Sequence, residues 1–407
     1  MEGESMSEWK EVRLGDVCNL YSGGTPNKNN KTYWNGNIPW ISAKSMYGDY
    51  IEDADLYITE EGLSNGSRLA PKGSILILTR GSGLYNRSPI CYTLKDVAFN
   101  QDVKRIESKD EDLYPNDLLY YILYANKKTI SSIIESTGIG AGKIDTDRFL
   151  NLPITIPPVY IQKDLMELFN AIFSKIETNN KLNEKLEEMA QAIFKSWFVD
   201  FEPFKDKPFH ETELGMIPEG WEVVSLTDIA TFTNGLAMQK FRPNYKEPHL
   251  PVLKIKELRQ GFCDDTSEIC IDDISDDFIA DDGDIIFSWS GTLLVDIWCG
   301  GKCGVNQHLF KVTSEKYNKW FFYFWIKRHL AEFIRIAKDK AVTMGHIKRG
   351  HLTNALVVVP NEKTMQNADK IFTPIIDKII EAKIESKRLA SLRDTLLPRL
   401  MSGELIV

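Results

Sequence analysis

The chain has 407 residues, too many for one hydrophobic core, so two or more domains are expected. Its 43% hydrophobic and 26% charged residues fit a globular protein, and no run of about 18 apolar residues exists to span a membrane. A net charge of −9 excludes a histone-like binder that relies on bulk charge, but a basic surface on one face remains compatible with it.

The first ten residues, MEGESMSEWK, are acidic and polar and lack the apolar centre of a secretory leader. The next stretch, WKEVRLGD (9–16), returns as WEVVSLTD (221–228), an offset of 212 that Gly23 and Gly235, and Lys44 and Lys256, also keep. The offset becomes 210 between GSIL (73–76) and GDII (283–286), 206 between Asn100-Gln101 and Asn306-Gln307, and 203 between Pro157 and Pro360. Order is kept throughout, so the chain reads as two tandem copies of one unit, a globular domain followed by a long helix. Within a unit, β-branched runs such as 74–79 and 356–359 predict short strands. The aromatic stretches 116–126 and 319–330 predict buried helices, the first with an Asn or Asp cap.

Residues 161–197 predict one helix of roughly 55 Å. Leu165, Phe169, Ile172, Ile176, Leu182, Leu186, Met189, Ile193 and Trp197 recur at steps of three and four, without Pro or Gly. Ala368, Phe372, Ile375, Ile379, Leu389, Leu392 and Leu396 repeat the stripe near the C-terminus. The two stripes are expected to pack against each other antiparallel, about a local two-fold axis. Pro374 is expected to bend or loosen the first turns of the second helix. Asn179 and Asn180 interrupt the first stripe. Two placements stay open for them: in the seam, where a polar residue sets helix register, or both in solvent.

Signatures of catalysis fail. GIGAGK (138–143) is one residue short of a phosphate loop and is followed by Ile144, so a turn is expected. No Asn/Asp-Pro-Pro-aromatic motif and no glycine-rich loop for S-adenosylmethionine follows a strand. The acidic run 264–284 lacks EF-hand spacing and reads as a solvated face. The six Cys show no zinc-site spacing and read as reduced thiols, and no metal site is expected. DNA-reading candidates are loop residues whose side chains can bond bases or phosphates. In the first unit these are Lys44, Arg80, Ser82, Tyr85, Asn86, Arg87, Gln101 and Lys143. In the second they are Gln239, Lys240, Arg242, Lys256, Ser290, Gln307, His308, His346, Lys348 and Arg349.

The W-x-x-V-x-L-x-D openings, GGTP (23–26), IPWI (38–41), FKSWFVDFEPF (194–204), ELGMIPEGW (213–221) and LLPRLMSGEL (396–405) together resemble the specificity subunits of type I restriction–modification systems. The resemblance covers nearly the whole chain. It implies an α+β protein with two tandem mixed α/β target recognition domains, joined and spaced by two long antiparallel coiled-coil helices in pseudo-two-fold symmetry. The boundaries expected are 1–157 and 221–360 for the recognition domains, 158–200 for the first spacer helix, 201–220 for a linker, and 361–407 for the second helix and tail. It further implies a non-catalytic cytoplasmic subunit that reads a bipartite site in double-stranded DNA with a fixed gap. Two methyltransferase subunits would carry S-adenosylmethionine and restriction subunits would use ATP with Mg, with no cofactor in this chain. The residues alone leave open a modification enzyme with an unrecognised site, and a coiled-coil adaptor for proteins.

Overall fold

The computed structural model describes residues 8–46, 48–85, 90–137, 140–244, 247–339 and 345–405. The chain divides into two compact units, Met1–Glu177 with Leu389–Val407, and Thr178–Arg388.

The first unit opens with β1 (Lys10–Arg13), the one-turn α1 (Leu14–Val17) and β2 (Cys18–Ser22). Then come β3 (Trp34–Ile41), β4 (Tyr50–Ile51), β5 (Tyr57–Ile58), α2 (Glu60–Ser64), β6 (Leu69–Ala70), β7 (Ile75–Leu78), β8 (Arg80–Gly81), β9 (Ile90–Thr93), β10 (Val97–Phe99) and β11 (Val103–Ser108). Helices α3 (Asn116–Ala125) and α4 (Lys127–Ser132), strands β12 (Ile134–Ser136) and β13 (Gly142–Ile144), α5 (Thr146–Leu150) and β14 (Pro153–Ile156) complete the domain. The sheet orders are β2-β11-β7-β9-β4, β5-β3-β10-β6, β12-β13-β8 and the pair β1-β14. Ile75 to Leu78 is buried on both faces, which is why this strand reads as continuous apolar sequence without alternation. Pro157 and Pro158 end β14, and the Pro158 carbonyl accepts the Ile161 N–H at 3.1 Å as α6 (Val159–Phe198) begins.

The second unit repeats the plan. A hairpin, β15 (Phe209–Thr212) and β16 (Gly215–Pro218), precedes β17 (Glu222–Ser225), α7 (Leu226–Ile229), β18 (Thr231–Asn234), β19 (His249–Leu253), α8 (Ile255–Gln260), β20 (Ile269–Ile271), β21 (Ile279–Ala280), β22 (Ile285–Ser288), β23 (Leu294–Ile297), β24 (Cys303–Val305) and β25 (Leu309–Thr313). Then come α9 (Lys319–Asp339), α10 (Arg349–Thr353), β26 (Leu356–Val359) and α11 (Glu362–Met401). The sheets β18-β25-β22-β23, β20-β19-β24-β21 and β17-β26 match their counterparts in the first unit. Equivalent backbone bonds confirm the repeat: Asn100 N to Ile41 O at 2.9 Å and Asn306 N to Leu253 O at 3.0 Å, Leu14 N to Leu152 O at 2.9 Å and Leu226 N to Ala355 O at 2.8 Å. Gly23 and Gly235 are required alike, because a Cβ would lie 2.1 Å from Phe99 O in one unit and 2.3 Å from Val305 O in the other.

Each unit encloses segments of both long helices. In the first, Leu165, Phe169 and Phe173 of α6 share a core with Leu397, Leu400 and Met401 of α11 and with the aromatic face of α3. In the second, Phe194 and Phe198 pack with Phe372 and Trp320, whose rings stack at 4.4 Å. Both helices run antiparallel there, since residue 194 meets 372 while Asn179 Nδ2 donates to Glu385 Oε2 at 2.8 Å. Polar contacts differ between the units. Arg393, buried in the first, donates from Nη1 to Asp49 at 2.6 Å and from Nε to Asp394 at 2.8 Å. Its guanidinium lies over the Tyr124 and Phe173 rings at 4.5 and 5.0 Å, and Lys127 also reaches Asp49, at 3.3 Å. In the second unit Lys327 pairs with Glu187 at 2.5 Å and Lys383 with Asp296 at 2.7 Å.

Several expectations change. Met189 and Leu392, read as stripe residues, are each 46% exposed, and Ala190 and Arg393 take the inward positions. Only Asn179 lies in the seam; Asn180 faces solvent. The N-cap of α3 is Pro115, without a side-chain cap, while Asn116 Oδ1 accepts from Ser108 N at 3.3 Å. Of the turn expected over 138–143, residues 138 and 139 lie outside the described residues, Thr137 N bonds Ala141 O at 3.0 Å as β12 turns back into β13, and only Gly142 and Lys143 belong to the strand, where they pair with β12 and β8. The second aromatic helix continues to Asp339, and α11 passes unbroken through the exposed Pro374. Both aromatic helices are core, from Leu118 to Tyr124 and from Trp320 to Ile326.

Candidate nucleic-acid interface

In the first unit four distant segments meet where β3, β7, β10 and β13 end or begin. The loop after β3 carries Lys44, and its Ala43 Cβ lies 3.5 Å from the place a Gly81 side chain would start. Thr79 N bonds Asp102 O at 2.8 Å, beside Gln101, and Ile144 N bonds Thr79 O at 2.9 Å. Lys143 is thereby the direct cross-strand partner of Arg80. Like charges directly opposite on antiparallel strands destabilise the pairing. Both side chains are exposed, and neither forms an ion pair among the described residues. The next residue in the same row, Glu135, is committed to Arg148 at 2.6 Å. Asp145 caps α5, and its carboxyl is held below the usual range, chiefly by the Arg148 backbone N–H. Two adjacent exposed cations thus lack an ion-pair partner among the described residues, with Asp145, two positions from Lys143, a nearby acidic influence, an arrangement suited to a phosphate backbone.

The other candidates of this unit sit around that point. Ser82 is exposed, and the half-exposed Tyr85 donates its hydroxyl to Ala141 O at 3.4 Å, next to β13. The Gln101 carbonyl oxygen accepts the Thr25 hydroxyl at 2.6 Å. Lys44 and Ser45 line an open hollow of about 620 Å³ with Asp53, Ala54 and Asp55. Asn86 and Arg87 lie outside the described residues.

The second unit brings the equivalent positions together with different chemistry. Ile347 N bonds Trp289 O at 3.0 Å and Gly291 N bonds Gly345 O at 2.9 Å, so Ser290 faces His346 as Arg80 faces Lys143. Ser290 is buried, which corrects its reading as a residue open to DNA: its hydroxyl is bonded to His308 Nδ1 at 3.0 Å and positions that ring. The Gln307 N–H is bonded to Leu236 O at 2.8 Å, next to exposed Gln239 and Lys240, and Lys348 and Arg349 open α10. Lys256 does not join this group. Its ammonium donates to Thr266 at 2.8 Å and lies 3.7 Å from Asp264, whose carboxyl is held low chiefly by the Thr266 hydroxyl. Arg242 is exposed, and it adds to the hydrogen bond from Lys254 that chiefly holds the Glu268 carboxyl below its usual range. The acidic run is less uniformly solvated than expected, since Asp284 pairs with Lys311 at 3.2 Å and Asp282 accepts Gly301 N–H at 2.7 Å. Two contributors escaped the sequence reading. Trp289 sits at the bridge itself, and Lys338 lines the hollow beside Gly291 and Gly345. Carrying the helical periodicity past residue 330 would have found the second.

Among the described residues no group of three or more His, Cys, Asp or Glu is arranged to hold a metal, and no helix is long and apolar enough to cross a membrane. The six cysteines are free thiols. The family model for the type I restriction modification DNA specificity domain matches residues 6–188 and again 218–391. The chain belongs to that family. As a specificity subunit it is a DNA-recognition component and not an enzyme. It is 30% identical over 424 residues to the type I restriction enzyme MjaIX specificity subunit of Methanocaldococcus jannaschii, an alignment spanning 100% of this chain and 95% of that one. To the HindI specificity subunit of Haemophilus influenzae it is 22% identical over 470 residues, covering 98% and 100%. The crystal structure of the type I restriction–modification S subunit from M. genitalium shares the fold, with a TM-score of 0.55 at 15% identity over 98% of this chain and 97% of that one.

Proposed function

We propose that this specificity subunit reads a bipartite, asymmetric site in double-stranded DNA with a fixed gap, one half-site per unit. On this reading it directs adenine-N6 methylation and ATP-dependent restriction by partner subunits in a cytoplasmic complex. The observation that supports it most is the repeated convergence point. The same backbone bonds bring together Lys44, Arg80, Gln101 and Lys143 in one unit, and Ser290, Gln307, His308 and His346 in the other. Equal scaffolds with unequal side chains suit two different half-sites.

S-adenosylmethionine would sit on two methyltransferase subunits, and ATP with Mg on restriction subunits. Met189 and Leu392 fit such a stoichiometry: they hold equivalent places in the repeat, 203 apart, and each exposes a large apolar side chain on a long helix. Two copies of one partner would find the same foothold twice. Asn179 would fix the helix register, and with it the gap.

The test is long-read sequencing of host DNA for N6-methyladenine with and without this gene. Loss of one split motif of constant gap is expected. An unchanged methylation pattern, with the partner subunits shown to be expressed, refutes the proposal.

A further inference from the structure

The two convergence points differ in the kind of charge they offer. In the first unit the pair is Arg80 and Lys143, a guanidinium beside an ammonium. In the second, the same four backbone positions carry Trp289 where the first has Thr79, Ser290 for Arg80, His308 for Asp102 and His346 for Lys143. Trp289 is fixed by its indole N–H to Asn234 at 3.1 Å and lies against Phe310. The His308 and His346 rings flank it at 6.1 and 6.3 Å, the second edge-on. Ser290 holds His308 by Nδ1, which orients Nε2 away from that bond. Among the described residues the nearby cations are Lys338 of α9, which lines a hollow of about 310 Å³ with Gly291 and Gly345, and Lys348 and Arg349, which follow His346 in the chain. Asn234 and Gln307 are neutral.

We infer that Trp289, His308 and His346 form the DNA-contacting and specificity-determining centre of the second unit, and that its grip on DNA is linked to protons where that of the first is not. The inference rests on the reading that both units contact DNA. An indole ring offers a surface for stacking, two imidazoles offer hydrogen bonds to a base or phosphate, and the imidazoles add positive charge only when protonated. A phosphate beside an imidazole favours the charged form, so binding takes up protons and affinity rises as pH falls. The first unit contributes salt dependence at every pH, about 0.9 in log-log slope for each phosphate neutralised.

The experiment uses the complex assembled with its methyltransferase subunits. The probe is a duplex carrying the split motif that the methylation map returns, beside an equal-length duplex without it. Affinity for the motif duplex is expected to rise about ten-fold from pH 8 to pH 6, and His308→Gln with His346→Gln is expected to abolish the rise. His346 is exposed, so His346→Gln alone leaves the core intact and should remove part of it. Arg80→Gln with Lys143→Gln should keep the rise and lower the salt slope by about two. A wild-type complex that prefers the motif duplex yet shows no rise, or a rise that survives both histidine changes, overturns the inference. A complex indifferent to the motif duplex overturns the underlying reading as well.

Discussion

Removing Arg393 tests how the C-terminal helix segment is held in the first unit. Arg393→Ala deletes a buried guanidinium and leaves Asp49 facing the core with one remaining cation, Lys127 at 3.3 Å. Breaking a buried pair from one side costs about 3–5 kcal/mol. Asp49 keeps Lys127 and is a quarter exposed, which puts the electrostatic part at or below the low end of that range. Loss of the stacking on Tyr124 and Phe173 adds about 1 kcal/mol. The sum is about 3 kcal/mol, a substantial fraction of a domain's stability. Hydrogen exchange on the full chain reads each unit separately: amides of β7 and β11 should lose protection, while those of β22 and β25 should keep theirs. Arg399→Ala, which breaks an exposed pair with Glu404, is the control and should cost under about 1 kcal/mol. A cycle with Asp49→Ala should give a coupling of about 2 kcal/mol. A coupling under about 0.5 kcal/mol, or equal effects from Arg393 and Arg399, would refute the reasoning.

Three further outcomes are expected. Gly23→Ala and Gly235→Ala should each destabilise their own unit by about 2–3 kcal/mol in denaturant titrations followed by unit-specific exchange, because both force a Cβ into a carbonyl. Asn179→Ala should cost about 1–2 kcal/mol while Asn180→Ala stays within about 0.5 kcal/mol, since only the first loses a seam hydrogen bond, to Glu385. His329 is half-buried, its proton affinity is lowered chiefly by desolvation, and Nε2 donates to Leu356 O at 2.9 Å. Between its folded and unfolded pKa values the unfolded chain binds the proton more tightly. Stability is therefore present above the unfolded value near pH 6.5 and falls as pH drops below it, by at most about 1.4 kcal/mol per pH unit. Thermal melts of His329→Phe between pH 7 and pH 5 should lack that component.

The repeat was legible because equivalent scaffold residues, such as Gly23 and Gly235 or Asn100 and Asn306, meet the same backbone demands in both units. The long helices were legible from their spacing, but their exact inward face was not. Periodicity favours Leu392 over Arg393, yet the side chain turned inward is the one that finds Asp49, a residue 344 positions away. Residue type alone misplaced other candidates in the same way. Lys256 has the same offset from Lys44 as the rest of its segment, but a nearby Asp264 and Thr266 occupy it. Ser290 looked like a base-reading hydroxyl and instead supports His308. Such contacts depend on long-range topology that no local pattern encodes.

The discontinuity of the first unit bears on how the protein is made. Residues up to Glu177 leave the ribosome early, but Leu397, Leu400 and Met401 belong to the same core, and the second unit lies wholly between. From Glu177 to Leu389 the chain grows by 212 residues. At about 5–20 residues per second that is roughly 10–40 s of synthesis. During it the face that will receive these side chains has no partner from its own chain. The unit begun first is therefore closed last, and a nascent chain stopped just before Leu389 would contain the whole second unit beside an unfinished first one.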